Sequence, residues 1–218
     1  MRALVLATIL AAGTAPMIAQ GPAIAPKTAA GQQLSSKELG FSYSLPADWT
    51  VEDTRPSVAQ AQQQAAKNAQ SDSEIRAVGC MEAPFKARHS NGASSVVIVA
   101  LPFDCFGQHY TDADLPAFAA TMAESLKKGW KISDPVFGTY SLGAHTVWIE
   151  RASGSLLEHP KDRKRLELVC SMLKNGAVCW MGFVASEADL KTFEQGAVSL
   201  DGESNPALVP ASAFAKKP

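Results

Sequence analysis

The 218-residue chain has no excess of either charge: 20 Lys and Arg stand against 21 Asp and Glu, a formal net charge of -1. Without a basic surplus nothing neutralises a phosphate backbone and releases its counterions, which argues against nucleic acid as a partner. A bilayer-length apolar run is missing too. The apolar stretch from Ala3 to Ala12 spans about ten residues, and a transmembrane helix needs about 20. The nucleophile elbow Gly-x-Ser-x-Gly does not occur; GTYSLG, from Gly138 to Gly143, has one residue too many and reads as a hairpin turn. No phosphate-cradling GxxxxGK[ST], dinucleotide fingerprint, HExxH or CxxC is present, so no cofactor is expected.

What is present begins with an address. Met1-Arg2 supplies a short positive start, Ala3 to Ala12 has the length of a signal-peptide core, and small residues from Gly13 to Ala25 offer cleavage points between 19 and 25. The leader, residues 1–22, contains no Cys for a lipid anchor. The mature protein is therefore expected to be periplasmic or secreted, without a membrane span. Residues 23–38 read as a linker, because the stretch from Gly21 to Ser36, GPAIAPKTAAGQQLSS, carries too little large apolar surface to offset its ordering entropy. One domain is expected over 39–201, with 202–218 as a tail lying on it or frayed from it.

Inside the domain, period-two and period-3.6 patterns alternate. Phe41, Tyr43 and Leu45 alternate with serines in a strand stopped by Pro46. Thr54 to Gln70 reads as a weakly anchored surface helix with Pro56 in its first turn. Ile75–Phe85 and Ser95–Phe103 flank Ser90-Asn91-Gly92 as a hairpin. Thr111 caps a helix with Leu115, Phe118, Met122 and Leu126 on one face, closed by Lys127-Lys128-Gly129. Strands follow at Trp130–Tyr140, His145–Ser153, Arg165–Leu173 and Ala177–Ala185, then a short helix from Ser186 to Gly196. The fold class is α+β: an antiparallel sheet of six to seven strands with two or three helices on its faces, an α/β/α sandwich.

The four cysteines carry the clearest chemistry. In an oxidising compartment an even count pairs by default. Alternation puts Cys170 and Cys179 on one face of adjacent strands, directly opposite if the loop is Leu173 to Gly176 and diagonal if Asn175-Gly176 is a two-residue turn. Cys80 and Cys105 are opposite if the earlier hairpin loop is Asn91 to Ser94. The expected bridges are Cys80 with Cys105 and Cys170 with Cys179. Cys80, His89, Cys105 and His109 also have the residue types of a two-Cys, two-His zinc site. The long Cys80 to His89 spacing and the oxidising compartment favour the disulfide, so no metal is expected.

GFSYSLPADW, from Gly40 to Trp49, followed by hairpins, a mid-chain helix, more hairpins and a final helix, resembles the opening strand and element order of PsbP-like domains. That fold is shared by a photosystem II accessory protein, a nuclear-import factor and many exported bacterial proteins. Over Leu39 to Asp201 the resemblance implies a central antiparallel sheet with helices on its faces and a non-catalytic accessory or binding role. The cysteine pairs and the Gln-rich second segment depart from the plant members, so a photosynthetic role is not carried over.

The one dense basic run is Lys161, Arg163, Lys164 and Arg165, set beside an expected hairpin where a loop presents it to an anionic ligand or protein. The expected function is thus an exported, non-catalytic binding or accessory domain. The alternative is an exported hydrolase in which His145 or His159 works with Glu150 or Glu158. A pocket joining one of these histidines to a carboxylate and a Ser would favour the enzyme.

Overall fold

The computed structural model describes residues 32–52, 85–105 and 109–214, with 54, 59, 60, 63, 64 and 67 between the first two stretches. Short alternating strands open the chain: β1 (Gln33–Ser36) and β2 (Phe41–Ser44) form an antiparallel hairpin. Then β3 (Trp49–Glu52), β4 (Phe85–His89), β5 (Ser95–Pro102), β6 (Trp130–Leu142), β7 (His145–Leu156), β8 (Arg163–Met172) and β9 (Gly176–Val184) build one seven-stranded sheet. Its order is β3-β4-β5-β9-β8-β7-β6, antiparallel throughout. Two last strands, β10 (Val198–Leu200) and β11 (Glu203–Asn205), return to β2 and complete a four-stranded sheet, β1-β2-β10-β11.

The expected α+β class is observed. Helix α1 (Leu115–Leu126) packs against one side of the large sheet through Leu115, Ala119, Met122, Ala123 and Leu126, meeting Leu166, Leu168, Cys170, Met172 and Met181. Helix α2 (Glu187–Glu194) buries Leu190 and Phe193 with the small sheet in a second apolar layer. Because β8 and β9 lie centrally with layers on both faces, every residue of β9 and the last seven of β8 are buried. Their continuous apolar run follows from that double coverage. Trp180 anchors the second layer, with Phe41 and Tyr43 edge-on at 6.1 and 6.3 Å. Each such side chain contributes roughly 1.5–3 kcal/mol by leaving water.

Ser186 caps α2 by accepting from the Asp189 amide at 3.1 Å, the arrangement its spacing predicts. Before α1, the Asp114 carboxylate accepts from the amide and hydroxyl of Thr111 at 2.8 and 2.9 Å. The Thr111 amide holds that carboxyl below its usual range.

Ordered structure reaches beyond 39–201 at both ends. Leu34 of β1 is buried within the stretch read as linker. In the stretch read as tail, Leu208, Val209 and Ala213 are core residues. These four apolar side chains join the core, and β1 and β11 find pairing partners in β2 and β10 that composition does not reveal. The β4–β5 strands pair with Arg88 opposite Ser95 and His89 bonded to the Ser94 carbonyl, so the loop starts earlier than Asn91. Phe118 is only half-buried, the stripe on α1 running through Ala119 and Ala123 instead. Gly129 does not take a positive φ, so it closes the helix without a left-handed turn. Of the expected surface helix, Ala59, Gln60, Gln63, Gln64 and Lys67 are helical and exposed.

Candidate functional site

The β7–β8 connection, residues 157–162, is a turn built by its own sequence. Pro160 follows His159, and the Asp162 amide closes onto the His159 carbonyl at 3.1 Å. The Leu157 amide bonds to Gly129 O at 3.0 Å, which ties the loop to the start of β6. Every residue from Leu157 to Arg163 is exposed, and Leu157 shows 56% of its surface to solvent.

The four cations of the basic run are not equivalent. Lys164 bonds through Nζ to the Ala93 carbonyl in the β4–β5 turn. Arg165 pairs with Glu187 at the start of α2, 3.2 Å away. Arg163 donates to the Ser133 hydroxyl at 3.2 Å and lies 3.8 Å from Asp134, with 67% of its side chain exposed. Lys161 makes no ion pair among the described residues. Lys164 and Arg165 thus brace neighbouring elements, whereas Lys161 and Arg163, like Leu157, are exposed to water. Exposed pairs such as Arg163–Asp134 contribute about 0–1 kcal/mol and release easily to a competing anion. Asp162 sits among the cations in sequence and Glu158 just precedes them.

The histidines are separated. His145 has its Nδ1 2.9 Å from the Met172 carbonyl and its Nε2 3.3 Å from Asp201 Oδ2, so its carboxylate neighbour is neither Glu150 nor Glu158. Asp201 also accepts from the Lys174 amide at 2.9 Å, and its own amide bonds to Gly40 O at 2.7 Å. Ser171, on the adjoining strand, is fully buried and donates to Thr146 O at 2.9 Å. The His145 cluster therefore joins the two sheets, with both ring nitrogens and the Ser171 hydroxyl directed at fixed partners. His159 is exposed on the β7–β8 turn. His89 meets Asp48 at 2.7 Å, and His109 lies edge-on to Phe103.

Cys170 and Cys179 are bridged. Cys80 lies outside the described residues, so the expected Cys80–Cys105 pair and the two-Cys, two-His reading fall partly outside them; Cys105 sits in the 3₁₀ turn Phe103–Cys105 beyond the end of β5. Among the described residues no three His, Cys, Asp or Glu side chains converge as metal ligands, and no helix is long and apolar enough to cross a membrane. Between α1 and the sheet, a cavity lined by Leu126, Ile132, Glu150 and Met181 has a volume of about 10 Å³, the scale of one water molecule. Burial holds the Glu150 carboxyl above its usual range there.

Sequence reasoning missed one cluster. Arg151, Glu167 and Glu194 converge on the side of the sheet that carries α2, with the Phe214 ring 4.2 Å from the Arg151 guanidinium carbon. A charged residue at an inward, period-two position, Glu167 between Leu166 and Leu168, was its signal.

No protein-family model and no curated protein matches the chain. Among solved structures it is similar to the solution structure of cyanobacterial PsbP (CyanoP) from Synechocystis sp. PCC 6803, at 10% identity. That comparison covers 80% of this chain and 90% of the other, with a TM-score of 0.39. The likeness concerns fold at most, and no residue role is taken from it.

Proposed function

We propose that the protein is an exported binding or accessory domain, non-catalytic, that meets an anionic partner through its β7–β8 loop. The observation that carries this reading is the exposure of Leu157, Lys161 and Arg163 together on one turn whose base is held by Lys164 and Arg165. An exposed apolar side chain in the same loop as two solvated cations suits contact with an anionic group that has an apolar neighbour. With Glu158 and Asp162 in the same loop, recognition rests on local geometry more than on net field. A periplasmic or secreted location is part of the proposal. It is supported by the leader-like residues 1–22 and by the buried bridge, since disulfides persist in oxidising compartments.

The test compares partner capture from the exported fraction by the wild type and by the double variant Lys161→Ser, Arg163→Gln. The proposal expects unchanged folding and capture that is weakened and less salt-sensitive. Unaltered capture would remove the loop from the account, and turnover abolished by His145→Gln or His159→Gln would overturn the non-catalytic reading.

A further inference from the structure

Glu167 is a carboxylic acid in the middle of the central sheet. Its side chain has no exposed surface, and its Oε1 has no hydrogen-bond partner. Arg151 on β7 donates to Glu167 Oε2 from Nε at 2.8 Å and to Glu194 from Nη2. Two carboxylates on one guanidinium carry one negative charge more than it neutralises. Burying that surplus is costly, so the cluster favours a proton on the fully buried Glu167 carboxyl.

The other groups around Glu167 do not relieve the surplus. Tyr43 of β2 commits its hydroxyl to Phe193 O at 2.8 Å. Glu187, at the far end of α2, adds negative potential at Arg151 and is itself paired with Arg165 of β8. Opposite Glu167 on β9 stands Gly182, which brings no charge. Burial, followed by the Glu194 carboxylate, pushes Glu167 up to about 8.

The C-terminal segment is seated on the same groups. The Glu194 carbonyl accepts from the Val209 amide at 3.1 Å, and Phe214 covers the Arg151 guanidinium. Ala213 O and the Phe214 ring fill the space where a Cβ on Gly138 would stand, 2.8 and 3.0 Å away. Tyr140 also holds the segment by donating to Leu208 O at 2.6 Å. Burial pushes that phenol up to about 12, so its bond persists through neutral and mildly alkaline pH.

We propose that Glu167, Arg151 and Glu194 form a proton-dependent latch for residues 206–214, closed while Glu167 keeps a proton and loosened when it ionises. On ionisation Glu167 is held in place, because β8 is paired on both edges. Glu194, the last residue of α2 with 15% of its side chain exposed, moves toward water. Its carbonyl leaves Val209, and Arg151 turns from beneath Phe214.

Hydrogen exchange on the full protein, corrected for base catalysis, tests this at pH 6 and pH 9. The Val209 and Ala213 amides are compared with amides of β8 and β9. In the wild type their relative protection should fall about tenfold or more at the higher pH, the equivalent of one pH unit of coupling. In Glu167→Gln the ratio should not change. A constant ratio in the wild type, or the same fall in the variant, would overturn the latch. Should the variant not fold, a carbon-13 carboxyl titration of the wild type decides. Glu167 titrating in the alkaline range in step with the exchange supports the latch, and titration in the ordinary glutamate range overturns it.

Discussion

Cys170 and Cys179 face each other directly across β8 and β9, with their Cα atoms 4.2 Å apart and their sulfurs bonded. Both lie beneath α1 in an apolar layer that includes Met122, Met172 and Met181. The bridge spans nine residues, and closing so short a loop stabilises by about 2–3 kcal/mol in the chain-entropy account. Replacing both cysteines by Ala should lower the urea unfolding free energy by that amount while leaving the β8–β9 register intact. Alkylation of both thiols in native, non-reduced protein would contradict the bridge.

Two glycines make a contrasting pair. A Cβ on Gly196 would overlap the Tyr43 ring and lie 2.7 Å from Ser44 O, contacts that cannot yield without moving the buried tyrosine or the backbone of β2. Gly196→Ala should cost roughly 1–3 kcal/mol or more by overpacking. Gly129, with nothing within 4 Å of the place a Cβ would take and no positive φ, should accept Ala with little change. Thermal unfolding of the two variants checks the contrast; equal losses would be inconsistent with this packing.

Stability should fall as pH rises from about 4.5 to about 8. Over that window the folded Glu167 keeps a proton that the unfolded chain has released, so the native state binds more protons and the slope is negative. Glu52 acts in the opposite sense. Burial alone would raise it, but Lys86 at 2.9 Å and Arg88 at 2.7 Å bring it below its usual value. Its contribution is present above the unfolded value and lost as pH falls through the folded one. Urea midpoints should therefore be higher at pH 5.5 than at pH 8.5, with the alkaline loss on the order of 1–3 kcal/mol, the scale of a poorly compensated buried group. Glu167→Gln should flatten the alkaline limb, and an equal limb in that variant would count against the assignment.

From β5 to β9 the large sheet was legible because its strands are long and its turns carry their own chemistry, whereas the expected strand Ile75–Phe85 shares only Phe85 with the short β4. Asn175-Gly176 lies at the β8–β9 turn, Gly143 turns β6 into β7 at a φ of 59°, and period-two alternation put Cys170 and Cys179 on one face, the directly opposite register being the one observed. The small sheet was not. Its β1, β10 and β11 have three or four residues each, and the pairing that joins its two hairpins, β10 with β2, spans most of the chain, so local pattern says little about them. Asp201-Gly202, both at positive φ between β10 and β11, was the signal available. At the candidate site, the sequence grouped four cations that the fold divides. Neighbours in sequence point to different elements, and Ala93 and Glu187, which claim Lys164 and Arg165, are remote in the chain.

The central claim is that the β7–β8 loop is the contact surface, and site-specific photo-crosslinking in the exported compartment tests it most directly. A photoreactive side chain in place of Leu157 is compared with one in place of Thr121, an exposed position on α1. The expected result is a partner adduct from position 157 that is absent from position 121 and is lost when Lys161→Ser and Arg163→Gln are added. Equal adducts from both positions, or an adduct from 157 that survives removal of the two cations, would contradict it.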